Sequence, residues 1–339
     1  MKGAFAMRIL LAVLILGASL WAGYWFVGSR GIASGFAGWL DARRDAGWVA
    51  EAGTLDVQGF PNRFDTVFTD LILADPDSGL AWEVPQFQIN ALSYRPNHVI
   101  AVWPERQLIA TPLEKFLLES RDMRASLVIA PDTALAPRRM TLTAEFLRIT
   151  PEARPEEVSA LSALTLAAER LEGTEYRLGL RAEGLTLAAP WRRLLDPEGR
   201  LPQQISGLTA DLAVTFDKPW DRTAIEIARP QPTRIKVTLA DGRWGNLHLQ
   251  AAGTVDVDPS GRPEGEITLK ARNWREIVTL MRTAGLLPES MAGSVESGLG
   301  MMARMAGNPE TLDIPLGLSG GRMWLGPVPI GPAPVLRLR

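Results

Sequence analysis

The sequence predicts a mainly β protein: one N-terminal transmembrane helix, then a long antiparallel β-meander, curled or sandwich-like, with two or three packed helices. Three observations carry this. Residues 9–27, ILLAVLILGASLWAGYWFV, contain no charged side chain. From about residue 48 onward, apolar residues recur at every second position, the period of strands with one buried face. Only two later segments carry clear apolar stripes at helical spacing, which limits the number of helices that can cover a sheet.

At about 1.5 Å per residue the uncharged stretch spans roughly 28 Å, close to the hydrocarbon thickness of a bilayer. Lys2 and Arg8 precede it, and Trp21, Tyr24, Trp25 and Phe26 crowd its far end, where aromatic rings favour the interface. Basic residues on the near side keep the amino end in the cytoplasm. Arg outnumbers Lys by 31 to 5, the bias of a GC-rich bacterium, so the expected location is the bacterial inner membrane, crossed once, with the C-terminal domain in the periplasm. A cleaved signal peptide is the alternative, but the best cut, after Ala22, puts Leu20 where a small residue is wanted. Ile32, Phe36, Trp39 and Leu40 continue the helical spacing, so an amphipathic stalk should run to near Gly47. Residues 1–46 thus read as cytoplasmic stub, anchor and stalk, and residues 47–339 as a periplasmic β-rich domain.

Alternation is plain in several segments. Tyr176, Leu178 and Leu180 oppose Arg177 and Arg181; Leu208, Ala210, Leu212, Val214 and Phe216 oppose Thr209, Asp211 and Thr215; Met140, Leu142, Ala144 and Phe146 share a face. Such patterns belong to antiparallel sheet, since parallel strands are covered on both faces. Ile235, Val237 and Leu239 make a further apolar face, Asp241 and Gly242 are expected to turn the chain, and Leu247, Leu249 and Ala251 return. Near Pro85 the apolar phase switches from Trp82 and Val84 to Phe87 and Ile89, as a bulge or a sheet-edge proline would cause. Asn273 can cap a helix bearing Trp274, Ile277, Val278 and Met281; a second, after Gly285 and Pro288, carries Met291, Val295, Leu299, Met302 and Met305. Met281, Met291, Met302 and Met305 are candidates for an adaptable apolar lining, although core filling is their commoner use. PEEVSALSALTLAAERLEG fits helix and strand equally badly, and a helix up to about Arg170 is the reading preferred.

Composition narrows the chemistry. The formal charge is −2, with no basic arm, so nucleic acid is not an expected partner. There is no cysteine and there are only two histidines, His98 and His248, each in a strand-like stretch. No phosphate-binding loop, dinucleotide turn, nucleophile elbow or metal-ligand spacing occurs. DVDPSG at 256–261 lacks the glutamate of a calcium loop, Ile267 standing in its place, and reads as a plain turn. DPDSG at 75–79 reads likewise. The expectation is a non-enzyme without cofactor or metal.

The stretch GWVAEAGTLDVQGFPNRFD, with Gly59, Phe60, Pro61, Arg63 and Phe64, and GGRMWLGPVPIGPAPVL, with Gly326, Pro327, Pro329, Gly331 and Pro332, resemble the bacterial family called domain of unknown function 2125, known mainly from alphaproteobacteria. That resemblance implies no activity. More distantly, the anchor followed by meanders such as GNLHLQAAGTVDVDPSGRPEGEITLKARNW resembles AsmA-type periplasmic proteins, linked to envelope lipid transport and outer-membrane assembly. In physical terms Gly59–Asn62 is a tight hairpin turn, with Arg63 and Asp65 on the polar face of the next strand. Arg322 to Leu325 should be a last strand, and Gly326 to Pro334 an extended, polyproline-like finish over apolar surface.

Strands that are apolar along one face, with few helices to cover them, must meet a second sheet, curl, or leave an open trough. Beside a membrane the occupant of a trough would be lipid or another apolar envelope ligand, with envelope lipid transport or biogenesis as the process served. The alternative is a non-catalytic scaffold that binds an envelope protein through a sheet edge or the proline-rich C-terminal segment; a recognition peptide for an SH3-like reader is a separate rival, disfavoured because such readers act mostly elsewhere.

Overall fold

In the computed structural model, which describes residues 2–226, 228–283, 285, 287, 289–305, 311–326 and 328–338, the first element is one unbroken helix, α1 (Lys2–Asp45). Gly47, at φ +86°, ends it by supplying the left-handed residue that follows many helices. Strands β1 (Val49–Glu51), β2 (Thr54–Gln58), β3 (Arg63–Asp75), β4 (Leu80–Leu92), β5 (Arg95–Val102) and β6 (Arg106–Ala110) follow. The chain divides into two compact units, Met1–Leu118 with Asp122–Ser126, and Glu119–Arg121 with Leu127–Arg339. Strand β7 (Lys115–Ile129) has residues in both.

In the first unit β3 is central. β1 and β2 pair with it (Ala50↔Leu73, Gln58↔Asp65), as does β4 (Phe68↔Phe87), and β5 and β6 pair with β4. Phe64, Thr66 and Phe68 are buried at alternate positions, and Leu71 then takes up the opposite phase. Asp70, at φ +46°, faces the position of Pro85 in β4, and the pairs Thr69↔Gln86 and Leu71↔Val84 keep register across it. The phase switch expected at Pro85 is thus shared by both strands, without a bulge. Leu40, Ala50, Phe68, Leu71 and Val84 form the core, with Phe36 against it. The distal half of α1 therefore packs on the sheet of this unit, parallel to β3.

The second unit is an antiparallel meander with β8 (Pro137–Pro151), β9 (Ser159–Arg170), β10 (Glu175–Thr186), a short helix α2 (Ala189–Leu195), β11 (Gln204–Phe216), a further short helix α3 (Arg222–Glu226), β12 (Pro232–Trp244), β13 (Leu247–Val257) and β14 (Pro263–Arg272). Helices α4 (Trp274–Thr283) and α5 (Glu289–Met305) then precede β15 (Thr311–Ser319), β16 (Arg322–Leu325) and β17 (Val328–Pro332). From β8 to β17 each strand pairs with the next. Helices α4 and α5 bury Trp274, Val278, Val295 and Leu299 against Ala271, Leu312 and Ile314 of β14 and β15.

Four local expectations change. The alanine- and leucine-rich run taken as a helix is β9, held on both sides by β8 and β10. Asp241 and Gly242 lie inside β12, and Gly245 (φ +58°) and Asn246 make the turn instead. An irregularity between Val237 and Ala240 places Leu239 opposite Asp211, away from the row of Val237, while Ala240 resumes the apolar face. Phe146 has φ +49° and is passed over in the pairing of Glu145 and Leu147, which takes it out of line with Ala144.

Candidate functional site

Because side chains alternate across a strand, cross-strand partners line up into rows. One row of the second unit runs Leu142, Leu166, Leu180, Ala210, Ala240, Ala251, Leu269 and Ile314, from β8 to β15. A second runs Ala144, Leu164, Ala182, Leu208, Gly242, Leu249, Ala271 and Leu312. One residue over, on the opposite face, lie Thr143, Thr165, Arg181, Thr209, Asp241, Gln250, Lys270 and Asp313. Along these rows the sheet is apolar on one side and polar on the other.

Cover over the oily side is uneven. At the β14–β15 end, α4 and α5 bury Ala271, Leu312 and Ile314. At the start of β10 and end of β11, Tyr176, Val214 and Phe216 cluster with Trp220. Between these, Leu164, Leu166, Leu180, Leu208 and Leu269 are only half-buried, and Leu249 and Met140 are each 41% exposed. A core leucine is ordinarily sealed. This middle stretch is apolar surface still reachable from outside.

Several charges on the other side are paired with one another. Arg177 donates from Nε and Nη2 to the two carboxylate oxygens of Asp211, at 2.9 and 2.6 Å, a fork geometry that favours charge on both partners. That hydrogen bond holds the Asp211 carboxyl below the usual carboxylate range. Arg234 does the same for Asp256, donating at 2.6 Å. Asp241 takes hydrogen bonds from His248, from Gln250 at 2.9 Å and from Arg243 at 3.0 Å. Burial would raise its pKa, but the bonds from His248 and Gln250 outweigh this and lower it. His248 is thus oriented by a carboxylate; Ser206, which with Asp241 lines a cavity of about 260 Å³ that His248 does not line, donates to the Arg243 carbonyl. The other histidine, His98, shares a hydrogen bond with Ser126 at 2.8 Å. Among the described residues no group of acidic and histidine side chains could hold a metal ion. A cavity of about 500 Å³ at the start of β8 is lined by Arg138, Arg139 and Arg170 together with Glu169, and Arg139 pairs with Glu169 at 2.9 Å.

The motif residues Gly59 to Phe64 have a role that their local pattern does not show. The turn between β2 and β3, with Phe60–Pro61 cis, is a socket for α1. Trp21 Nε1 donates to the Pro61 carbonyl at 3.1 Å, and Trp25 Nε1 to the Arg63 carbonyl at 2.6 Å. Tyr24 donates its hydroxyl to the Ser93 carbonyl at 2.6 Å, in the turn between β4 and β5. Phe60 stacks on Phe26 and meets Trp25 edge-on; Phe64 stacks on Trp25. Gly28 admits this contact, since a Cβ there would lie 2.7 Å from Phe64 Cζ. Further along, Phe36 meets Phe68 edge-on at 5.2 Å, and Arg44 Nε donates to the Ala50 carbonyl at 2.9 Å. Arg63 pairs with Asp65 at 3.0 Å on the polar face, as expected. The aromatic residues of α1 thus hold the helix to the strands, a role beyond the interface one expected from their position in the sequence.

The C-terminal motif is more structured than a polyproline finish. Gly326 turns the chain at φ +58°, and β17 pairs with β16 through Trp324↔Pro329, Met323↔Gly331 and Arg322↔Pro332. Pro327 lies outside the described residues. Beyond β17 the chain crosses the sheet end: Ala333 donates to the Gly321 carbonyl, Leu336 to the Gly261 carbonyl at 2.7 Å, and Leu338 exchanges two hydrogen bonds with the Gln231 side chain. Of the proposed methionine lining, Met281 is half-buried against the α4–α5 core; the side chains of Met291, Met302 and Met305 lie outside the described set.

Among the described residues one helix, Phe5–Asp45, is long and apolar enough to cross a membrane. A family model described as an uncharacterized protein conserved in bacteria, DUF2125, matches residues 25–334. The match begins at Trp25, the first helix residue buried in the socket, and takes in the first motif whole and the second as far as Pro334. No curated protein and no solved structure matches.

Proposed function

The chain belongs to the DUF2125 family, and we propose that this member is a single-pass inner-membrane protein whose periplasmic sheet binds lipid acyl chains or another apolar envelope ligand without covalent chemistry. One observation carries the reading: the half-buried apolar rows between β8 and β15, backed by a polar face. Exposed apolar surface of this extent is a cost to a protein in water unless something occupies it. An acyl chain suits it, because rows of leucine and alanine offer dispersion contact and no fixed polar partner. Charge placement supports the topology, Lys2 and Arg8 standing at the near end of the span. Envelope lipid transport or biogenesis is the process such a trough would serve. A scaffold that offers its C-terminal segment to a partner is less well supported, since the backbone of residues 333–338 is already engaged by Gly321, Gly261 and Gln231.

The test uses the full chain in nanodiscs or mild detergent with phosphatidylethanolamine carrying a diazirine in its acyl chain. Cross-linked peptides from β8–β14 bearing the apolar rows support the reading. Cross-links confined to α1 overturn it.

A further inference from the structure

We infer that two turns of the first unit, Gly59–Asn62 between β2 and β3 and Ser93–Tyr94 between β4 and β5, form a collar seated in the bilayer interface around α1. This rests on the proposal that α1 crosses the membrane, and it concerns how deep the folded domain then sits. From Phe5 through Leu20 every helix side chain is exposed and Arg8 is the one charge, a stretch of about 24 Å at 1.5 Å per residue that crosses most of a hydrocarbon layer of about 30 Å, with Arg8 able to snorkel to the near headgroups. Trp21, Tyr24 and Trp25 then stand at its far boundary. Arg30 is exposed and lies about 14 Å beyond Trp21 along the axis, on the headgroup side.

The turns are bonded to that depth. Pro61 accepts from Trp21, Arg63 from Trp25 and Ser93 from Tyr24, at 3.1, 2.6 and 2.6 Å. A helix placed to span therefore carries both turns down to the interface. Their chemistry suits that position. Phe60 and Tyr94 are 53% and 58% exposed, Leu92 projects beside them, and the exposed faces of Trp21 and Tyr24 continue the ring. Aromatic residues concentrate at this level of a membrane. Several of their polar groups are bonded from within: Ser93 N donates to the Asn62 carbonyl, Arg63 N to the Gly59 carbonyl and Ser93 Oγ to the Pro61 carbonyl. Lipid demands this of any backbone it surrounds, since little water is present to replace a missing partner.

The chain contains no cysteine, so single cysteines can carry a fluorescent label in the full-length protein reconstituted in phosphatidylethanolamine–phosphatidylglycerol vesicles. Four positions suffice: Leu14→Cys in the span, Asn62→Cys and Tyr94→Cys in the collar, and Asp77→Cys in the turn at the other end of the β3–β4 hairpin. Nitroxide lipids labelled near the headgroup should quench positions 62 and 94 severalfold more than position 77, with position 14 quenched best by deep nitroxides. If 62 and 94 respond like 77 while 14 is deep, the collar is wrong and the span survives. If 14 is quenched from water, the span fails and the collar with it. Circular dichroism of each variant checks folding, and position 94, whose side chain is largely exposed, keeps the test open should Asn62→Cys misfold.

Discussion

Trp25 joins the anchor to the β domain more directly than any other side chain in the socket, and its removal has a calculable cost. It is 6% exposed, touches the rings of Phe26, Phe60 and Phe64, and donates to the Arg63 carbonyl. Truncating a buried aromatic to alanine costs about 3–5 kcal/mol. Trp25→Phe keeps much of the ring area but leaves the carbonyl of Arg63 without its donor, for about 1–3 kcal/mol. The comparison is Trp191→Ala, a tryptophan 62% exposed on α2, where a change within about 0.5 kcal/mol is expected. The assay is denaturant-dependent hydrogen exchange of the full chain in detergent, read at the β2–β3 amides from Thr54 to Asp75. Protection there should fall in the order wild type, Trp25→Phe, Trp25→Ala, and stay unchanged in Trp191→Ala. Equal protection in Trp25→Ala and wild type would refute the docking of α1 and the role assigned to the Gly59–Phe64 motif.

Gly28→Val places a branched side chain where even a Cβ meets Phe64 at 2.7 Å; because Trp25 and Tyr24 crowd that ring, about 1–3 kcal/mol of overpacking is expected, visible as increased exchange in the same β2–β3 amides. Asp211 and Asp256 have carboxyls depressed by hydrogen bonds from Arg177 and Arg234. Their stabilisation is present above the unfolded carboxylate value, near about 3.9, and is lost as pH falls through the lower folded values. Urea midpoints should therefore decline with acidification in that window, less steeply in Asp211→Asn, and an unaltered slope would count against the pair. Deleting residues 333–339 removes the hydrogen bonds to Gly321, Gly261 and Gln231; proteolysis near Gly261 should accelerate while circular dichroism stays that of the parent.

Much of the sheet was legible because a period of two is stated residue by residue. The Leu178–Leu180 and Leu208–Leu212 alternations occur in the structure as apolar rows with Arg177, Arg181 and Asp211 on the far side. What was misread depended on competition between local and distant forces. Residues 159–170 are rich in helix formers such as Ala, Leu and Glu, yet pairing with two neighbouring strands decides their state. Asp241–Gly242 has good turn chemistry, but Gly245–Asn246 supplies the turn and Asp241 is held in the strand by His248 and Gln250. The socket was not legible at all: nothing local to GFPNRF says that indoles some forty residues earlier will donate to its carbonyls. The one available hint is the density of Trp and Tyr at the end of the apolar stretch, which a place at a membrane interface also accounts for. The C-terminal finish was understood as covering surface, while the prolines concealed that part of it is a paired strand.

Neighbouring positions on one strand offer the most direct test of the apolar trough. Leu180 and Arg181 of β10 differ by one residue and face opposite sides of the sheet. With an environment-sensitive fluorophore on Leu180→Cys or Arg181→Cys in the otherwise cysteine-free full chain, adding short-chain phosphatidylethanolamine should shift emission to the blue and saturate at position 180 only. No shift at 180, or the same shift at both positions, would contradict a face that receives apolar ligand.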